Sequence, residues 1–162
     1  MQETNGHPHI LSGVKVLDFT QYLAGPTVTR LMAEMGANII KVEQAPMGDP
    51  SRLLPFIKNN RSAYFVQQNR GKKSLCVDLK DPRGIALVAE FVPRVDVIVE
   101  NFRPGVMEGL GLGYDRLTEM KEDIALKRLS LRQGLKVWRS EIPQRCLVAS
   151  VHALQLCAHF CR

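Results

Sequence analysis

The chain has 162 residues, of which 45% are hydrophobic and 23% charged, the length of a single domain and the composition of a globular protein. Its apolar runs, such as Val95–Val99 around Asp96, fall far short of the roughly 18 residues a membrane span needs. Met1–Pro8 lacks a basic-then-apolar leader pattern, so no membrane association and a cytoplasmic location are expected. The net charge of +6 is uneven: residues 1–123 hold fifteen Lys/Arg and fifteen Asp/Glu, whereas 124–162 hold seven basic residues and one acid, Glu141.

Val14–Phe19 reads as a buried strand, with Val14, Val16 and Leu17 its main apolar residues. It runs into the polar, glycine-containing turn Thr20–Pro26. Pro26 suits the first turn of a helix, with Thr20 or Gly25 as nearby caps. Val28, Leu31, Met32 and Met35 then recur at helical spacing, and Gly36 stops the helix. Ala37–Glu43 is a second strand carrying Ile39, Ile40 and Val42. Strand, helix and strand within about 30 residues form a βαβ unit, hence a parallel pair with a right-handed crossover.

Gln44–Asn60 is loop-like, broken by Pro46, Gly48, Pro50 and Pro55. Ser62–Gln68 reads as a short helix and Ser74–Leu79 as a third strand. Asp81 and Pro82 open a helix as N-cap and first helical residue, with Ile85, Leu87, Val88 and Phe91 its apolar side. Val95–Glu100 is a fourth strand, ended by Asn101–Gly105. This alternation is that of an α/β domain with a parallel sheet. After about Leu126 the apolar residues settle on no single period. Cys76, Cys146, Cys157 and Cys161 form no C-x-x-C pair, and incidental thiols explain them as well as a metal cluster with His152 and His159 would.

Four segments, taken together, resemble the CaiB/BaiF family, the family III CoA-transferases. They are Gly13–Thr20 followed by Ala24-Gly25-Pro26; Gly36–Glu43 with Gly48-Asp49 behind it; Asn69–Lys80; and Val99–Gly105 followed by Leu110–Tyr114. Each is weak alone, but their order and spacing over residues 13–119 are specific. The resemblance implies a Rossmann-like parallel sheet with flanking helices over residues 13–126, between a disordered N-terminus (1–12) and an irregular, non-family tail (127–162) of frame-shifted origin or poor order. It also implies an enzyme that moves CoA from an acyl-CoA to a free carboxylic acid, with the coenzyme A thioester as substrate and no permanently bound cofactor. In that chemistry an aspartate attacks the thioester, carries the acyl group as a mixed anhydride and then becomes an aspartyl-CoA thioester. The family position of this aspartate lies downstream of the matched segments, beyond a strand expected near Ile124. No aspartate follows Asp123, so the chain as written is expected to be inactive. The family's interlocked homodimer is one that a chain of this length would not complete.

By family position Val77, Lys80, Asn101 and Phe102 match CoA-contacting sites. A lysine suits the CoA phosphates, and a ring packs on adenine or pantetheine. Read alone, Lys80 is a solvated lysine, Phe102 core and Asn101 a turn residue. The resemblance favours a ligand role for Asn101 and leaves the other two open. Lys72, Lys73 and Arg103 form a basic cluster near the same strand ends, or a solvated surface. Gly109 and Gln44 stand where many members carry basic residues. Asp18, at a strand end, reads as a structural hydrogen-bond acceptor. Other readings are the family's racemase branch and a non-catalytic CoA-binding module. A dinucleotide binder is rejected because no G-x-G-x-x-G follows the first strand, and a nucleic-acid binder because the basic tail carries no such motif.

Overall fold

The computed structural model describes residues 9–130 and 134–137. The chain runs β1 (Lys15–Asp18), α1 (Ala24–Glu34), β2 (Asn38–Gln44), a 3-10 turn over Pro50–Leu53, the two-residue strands β3 (Ile57–Lys58) and β4 (Arg61–Ser62), α2 (Ala63–Asn69), β5 (Lys73–Val77), α3 (Pro82–Ala89), a 3-10 turn over Val92–Arg94, β6 (Val97–Glu100), α4 (Val106–Gly109), α5 (Tyr114–Met120), β7 (Ala125–Ser130) and β8 (Gly134–Val137). The main sheet has the order β5-β2-β1-β6-β7-β8. Its first five strands are parallel, and β8 joins β7 antiparallel. The chain therefore starts mid-sheet, walks to one edge through β2 and β5, and returns to the other side of β1 at β6. That reversal makes the β1–β6 boundary the topological switch point.

Alternation along the strands feeds two cores, one per face. Val16, Ile39, Val97, Val99 and Ala125 pack with Val28 and Met32 of α1 on one face. Leu17, Val42, Ile98 and Leu126 pack with Val88, Met107 and Leu117 on the other. Apolar runs buried on both faces are what a parallel sheet requires. The four expected strands are present, shifted by one or two residues at their ends. Gly36 stops α1 as expected: at φ +97° it lets its own N–H reach the carbonyl of Ala33 and that of Ala37 reach Met32. Asp81 caps α3 through the amide of Arg83, 2.8 Å away, with Pro82 next.

Other expectations are corrected. The first helix begins at Ala24, and Leu23 occupies the cap without a side-chain bond. Thr20 does not cap it, because its hydroxyl donates to Asp18. Of the expected apolar side of α3, Leu87 is exposed, whereas Val88 is buried and Ile85 and Phe91 pack against the core as expected. The loop after β2 holds a 3-10 turn and a β3–β4 hairpin, whose Asn59 and Asn60 both have positive φ. Such paired left-handed residues are the turn a two-residue hairpin needs. Within the expected disordered stretch 1–12, residues 9–12 are described and Leu11 is buried; 1–8 are not described. Strand β7 passes Leu126 and continues to Ser130. Apart from β8, the rest of the tail, with its cysteines and histidines, lies outside the described residues.

The loop after β2 is tied back by Glu43. Its Oε2 accepts from the Asp49 amide at 2.9 Å and Arg52 Nε at 2.6 Å, and its Oε1 from Arg52 Nη2 and Ser74 Oγ, both at 2.7 Å. Burial raises this carboxyl, but the donors from Arg52, Asp49 and Ser74 outweigh it and bring it from 4.5 to about 2. A carboxylate depressed on folding contributes stability that is full above its unfolded pKa and is lost as pH falls through the folded one. Stability should therefore drop between about pH 4.5 and about pH 2, by about 2–3 kcal/mol from this group. Urea denaturation of wild type and Glu43→Gln across that window checks it: the variant should have the shallower slope, and parallel curves would refute the assignment.

Candidate functional site

The carboxyl ends of the central strands converge on a buried polar knot. Asp18, the last residue of β1, has no solvent exposure. Its Oδ1 accepts from the Thr20 amide at 2.9 Å and the Thr20 hydroxyl at 2.5 Å. Its Oδ2 accepts from Thr29 Oγ1 at 2.7 Å and Lys72 Nζ at 3.0 Å. The Lys72 ammonium, with three N–H groups to share, also lies within hydrogen-bond distance of the Pro26 carbonyl, Thr29 Oγ1 and Asn69 Oδ1. Burial opposes the Asp18 charge, but Lys72, Lys41 and the two threonine hydroxyls overcome it and hold the carboxyl below its usual range. Burial lowers the Lys72 ammonium to about 8 despite Asp18 beside it. Lys41, buried in β2, hydrogen-bonds the Thr20 carbonyl and forms an ion pair with Asp49 Oδ2 at 2.8 Å.

Above this knot the β1–α1 loop turns sharply. Gly25 packs so close to Thr20 that an added Cβ would lie 2.3 Å from the Thr20 Cβ. Across the switch point, Asn101 Oδ1 accepts from the Gln21 amide and Asn101 Nδ2 donates to the Gln21 carbonyl, both at 2.8 Å. Tyr22 comes next, at φ +65°. Phe102 sets its ring edge-on to Phe19, centroids 6.5 Å apart. Glu100 accepts from the Phe102 amide at 2.8 Å and pairs with Arg128, which also reaches Glu108.

Val77, Lys80, Asn101 and Phe102 all lie at the carboxyl edge of the sheet, in two groups. Asn101 and Phe102 follow β6 at the switch point. Val77 ends the edge strand β5, buried, and Lys80 beyond it is exposed. β2 and β1 intervene, so the groups are about 14 Å apart. Gln44 closes the end of β2 by donating to Asp78 Oδ1 at 2.8 Å. The basic cluster does not assemble: Lys72 precedes β5 and its ammonium is held by Asp18 at the end of β1, and Lys73 opens β5, an edge strand separated from β6 by β2 and β1. Arg103 is exposed at the carboxyl edge. A cleft of about 390 Å³ beside β7, lined by Glu108, Tyr114, Arg116, Leu126 and Arg128, includes none of the four. Among the described residues no group of three or more His, Cys, Asp or Glu converges as metal ligands would, and no helix is long and apolar enough to cross a membrane.

The profile of CoA-transferase family III matches residues 11–130. The chain belongs to that family. Similar proteins include a succinyl-CoA:glutarate CoA-transferase from Mus musculus, 44% identical over 116 residues. Another is a formyl-CoA:oxalate CoA-transferase from Bradyrhizobium diazoefficiens, 41% identical over 111 residues. These matches cover 70% and 68% of this chain but 26% of each relative, so the chain spans about a quarter of their length. Among solved structures, a CaiB/BaiF family protein from Brucella suis superimposes with TM-score 0.66 at 38% identity, over 74% of this chain and 32% of that one. As expected from the resemblance, β1, β2, β5, β6 and β7 form a parallel array flanked by helices, to which β8 adds antiparallel.

Sequence reasoning missed the roles of Lys41 and Lys72. The available signal was Lys41 itself, a lysine inside the apolar run Ile39–Val42, where only a partnered charge is tolerated. Replacing one partner of a buried pair strands the other charge, so Lys72→Met should cost about 3–5 kcal/mol. Combining it with Asp18→Asn should recover part of that loss. Chemical denaturation of both variants checks this, and additive losses would show that the pair is not coupled.

Proposed function

We propose that the carboxyl edge of this sheet binds the coenzyme A moiety of an acyl-CoA, as part of an enzyme that transfers CoA to a dicarboxylic acid. The observation that carries this is the placement of Val77, Lys80, Asn101 and Phe102 along one edge that includes the switch point, in a chain of a CoA-transferase family. Carboxyl ends of parallel strands are where α/β sheets take ligands, and CoA is long enough to span the two groups. Lys80 is exposed to meet a phosphate, Val77 and Phe102 offer apolar walls, and Asn101 shapes the loop beside them. The dicarboxylate acceptor is suggested by the glutarate and oxalate in the names of the two relatives.

The chemistry would run through an aspartate carboxylate. It attacks the thioester carbonyl and expels the CoA thiolate, leaving a mixed anhydride. The thiolate then attacks the aspartyl carbonyl, releasing the donor's acid and leaving an aspartyl-CoA thioester. The acceptor carboxylate attacks that thioester and expels the thiolate, which attacks the acceptor carbonyl of the new anhydride, forming the new acyl-CoA and freeing the aspartate. Asp18 is unsuited to that role, because both its oxygens are engaged and buried. No aspartate follows Asp123. We therefore expect the 162 residues by themselves to bind CoA without turning over acyl-CoA.

Titration of CoA to about 5 mM into the ¹⁵N-labelled chain should shift the amides of Val77, Lys80, Asn101 and Phe102. Lys80→Ala should weaken binding about threefold to fivefold, and added salt should weaken it further. Shifts confined to the cleft beside β7, or none, would count against the reading. Turnover of an acyl-CoA with a dicarboxylic acid, lost on changing one aspartate to alanine, would place the nucleophile within these residues.

A further inference from the structure

We infer that Asn101 is a positioning residue, whose carboxamide locks the Gln21 peptide and so holds Tyr22 and Leu23 as a fixed ledge at the ligand-binding edge. This rests on the reading of that edge as the acyl-CoA site. Both sides of the Asn101 amide face the loop, accepting from the Gln21 N–H and donating to the Gln21 carbonyl, each at 2.8 Å. A primary amide so paired keeps one N–H and part of its oxygen for anything else. The preceding peptide groups are held as firmly: the Thr20 amide by Asp18 and the Thr20 carbonyl by Lys41. All four backbone polar groups of Thr20 and Gln21 are thus bonded to side chains, supplied by β1, β2 and the end of β6.

The two residues after this doubly held segment are exposed, and the first of them is strained. Tyr22 sits at φ +65°, a conformation that a residue with a side chain keeps only where its surroundings over-determine it. Tyr22 is 51% exposed and Leu23 44%, so packing of their own side chains does not enforce it. The hydrogen bonds behind the loop do. They fix in front of it an apolar surface that needs no ordering when a ligand arrives.

Amide hydrogen exchange and CoA titration on the 162-residue chain test this together. In Asn101→Ala the Gln21 amide should exchange about tenfold faster or more, with Leu17 and Ile98 still protected, and CoA affinity should fall about fivefold. In Lys80→Ala affinity should fall with Gln21 exchange unchanged, which separates loss of a ligand contact from loss of the lock. Lower affinity in Asn101→Ala with unchanged Gln21 exchange would make Asn101 a direct ligand and overturn the inference. Faster exchange with unchanged affinity would overturn it too. If wild type binds no CoA, the acyl-CoA reading fails, while the Gln21 comparison still decides whether the lock exists. If Asn101→Ala loses protection at Leu17 and Ile98, Asn101→Asp decides, because it keeps the acceptor for the Gln21 N–H. Slow Gln21 exchange there supports the lock, and tenfold faster exchange refutes it.

Discussion

A carboxylate with no exposure to water, at the end of the central strand, is the fixed point of this structure. Charge in that position is unfavourable unless every lone pair finds a donor and the charge itself a partner. Asp18 meets both conditions through Thr20, Thr29 and Lys72. These partners come from the β1–α1 loop, from α1 and from the turn before β5. The compensation of one charge therefore fixes where the first loop turns, how α1 lies on the sheet and where the β5 edge begins. Lys41 extends the same logic to Asp49 and the loop after β2.

The consequence for ligand binding is a loop of unusual chemistry for its place. In doubly wound sheets the first β–α loop often offers free backbone amides to a phosphate. Here the amides of Thr20 and Gln21 are taken by Asp18 and Asn101. The loop presents Tyr22 and Leu23 to solvent instead, while Lys80 stands exposed beyond the end of β5. In the acyl-CoA reading, apolar contact lies at the switch point and charge toward the sheet edge, which suits a ligand with phosphates at one end and a thioester at the other.

The far side of the switch point obeys the same principle. Glu100 is buried at the end of β6 and is compensated by Arg128 from β7 and by the Phe102 amide. Both central strands that flank the switch point thus end in a buried acid, each answered by a cation from a neighbouring segment. Glu43 at the end of β2 repeats the arrangement with Arg52. Separating the partners of such a pair strands a buried charge, so these pairs favour one register of the strands over its neighbours.

The sequence by itself determined the α/β class, the four strands near Val14, Ala37, Ser74 and Val95, the Asp81–Pro82 helix start and the Gly36 stop. Each rests on local chemistry: apolar runs, a capping carboxylate, a ring that fixes φ, a residue without Cβ. The CoA-transferase resemblance was legible too, because its motifs are contiguous segments in a fixed order. Only the tertiary structure decided that Lys72 serves Asp18 rather than a ligand, that Thr20 serves Asp18 rather than α1, and that Asn101 grips Gln21. Those are partnerships across 54, 2 and 80 positions of chain. A polar side chain looks the same in sequence whether it meets water, a ligand or a buried charge. For Lys72 and Asn101 the choice is settled when the sheet order brings the ends of β5, β1 and β6 near one another, and periodicity within one segment carries no information about that.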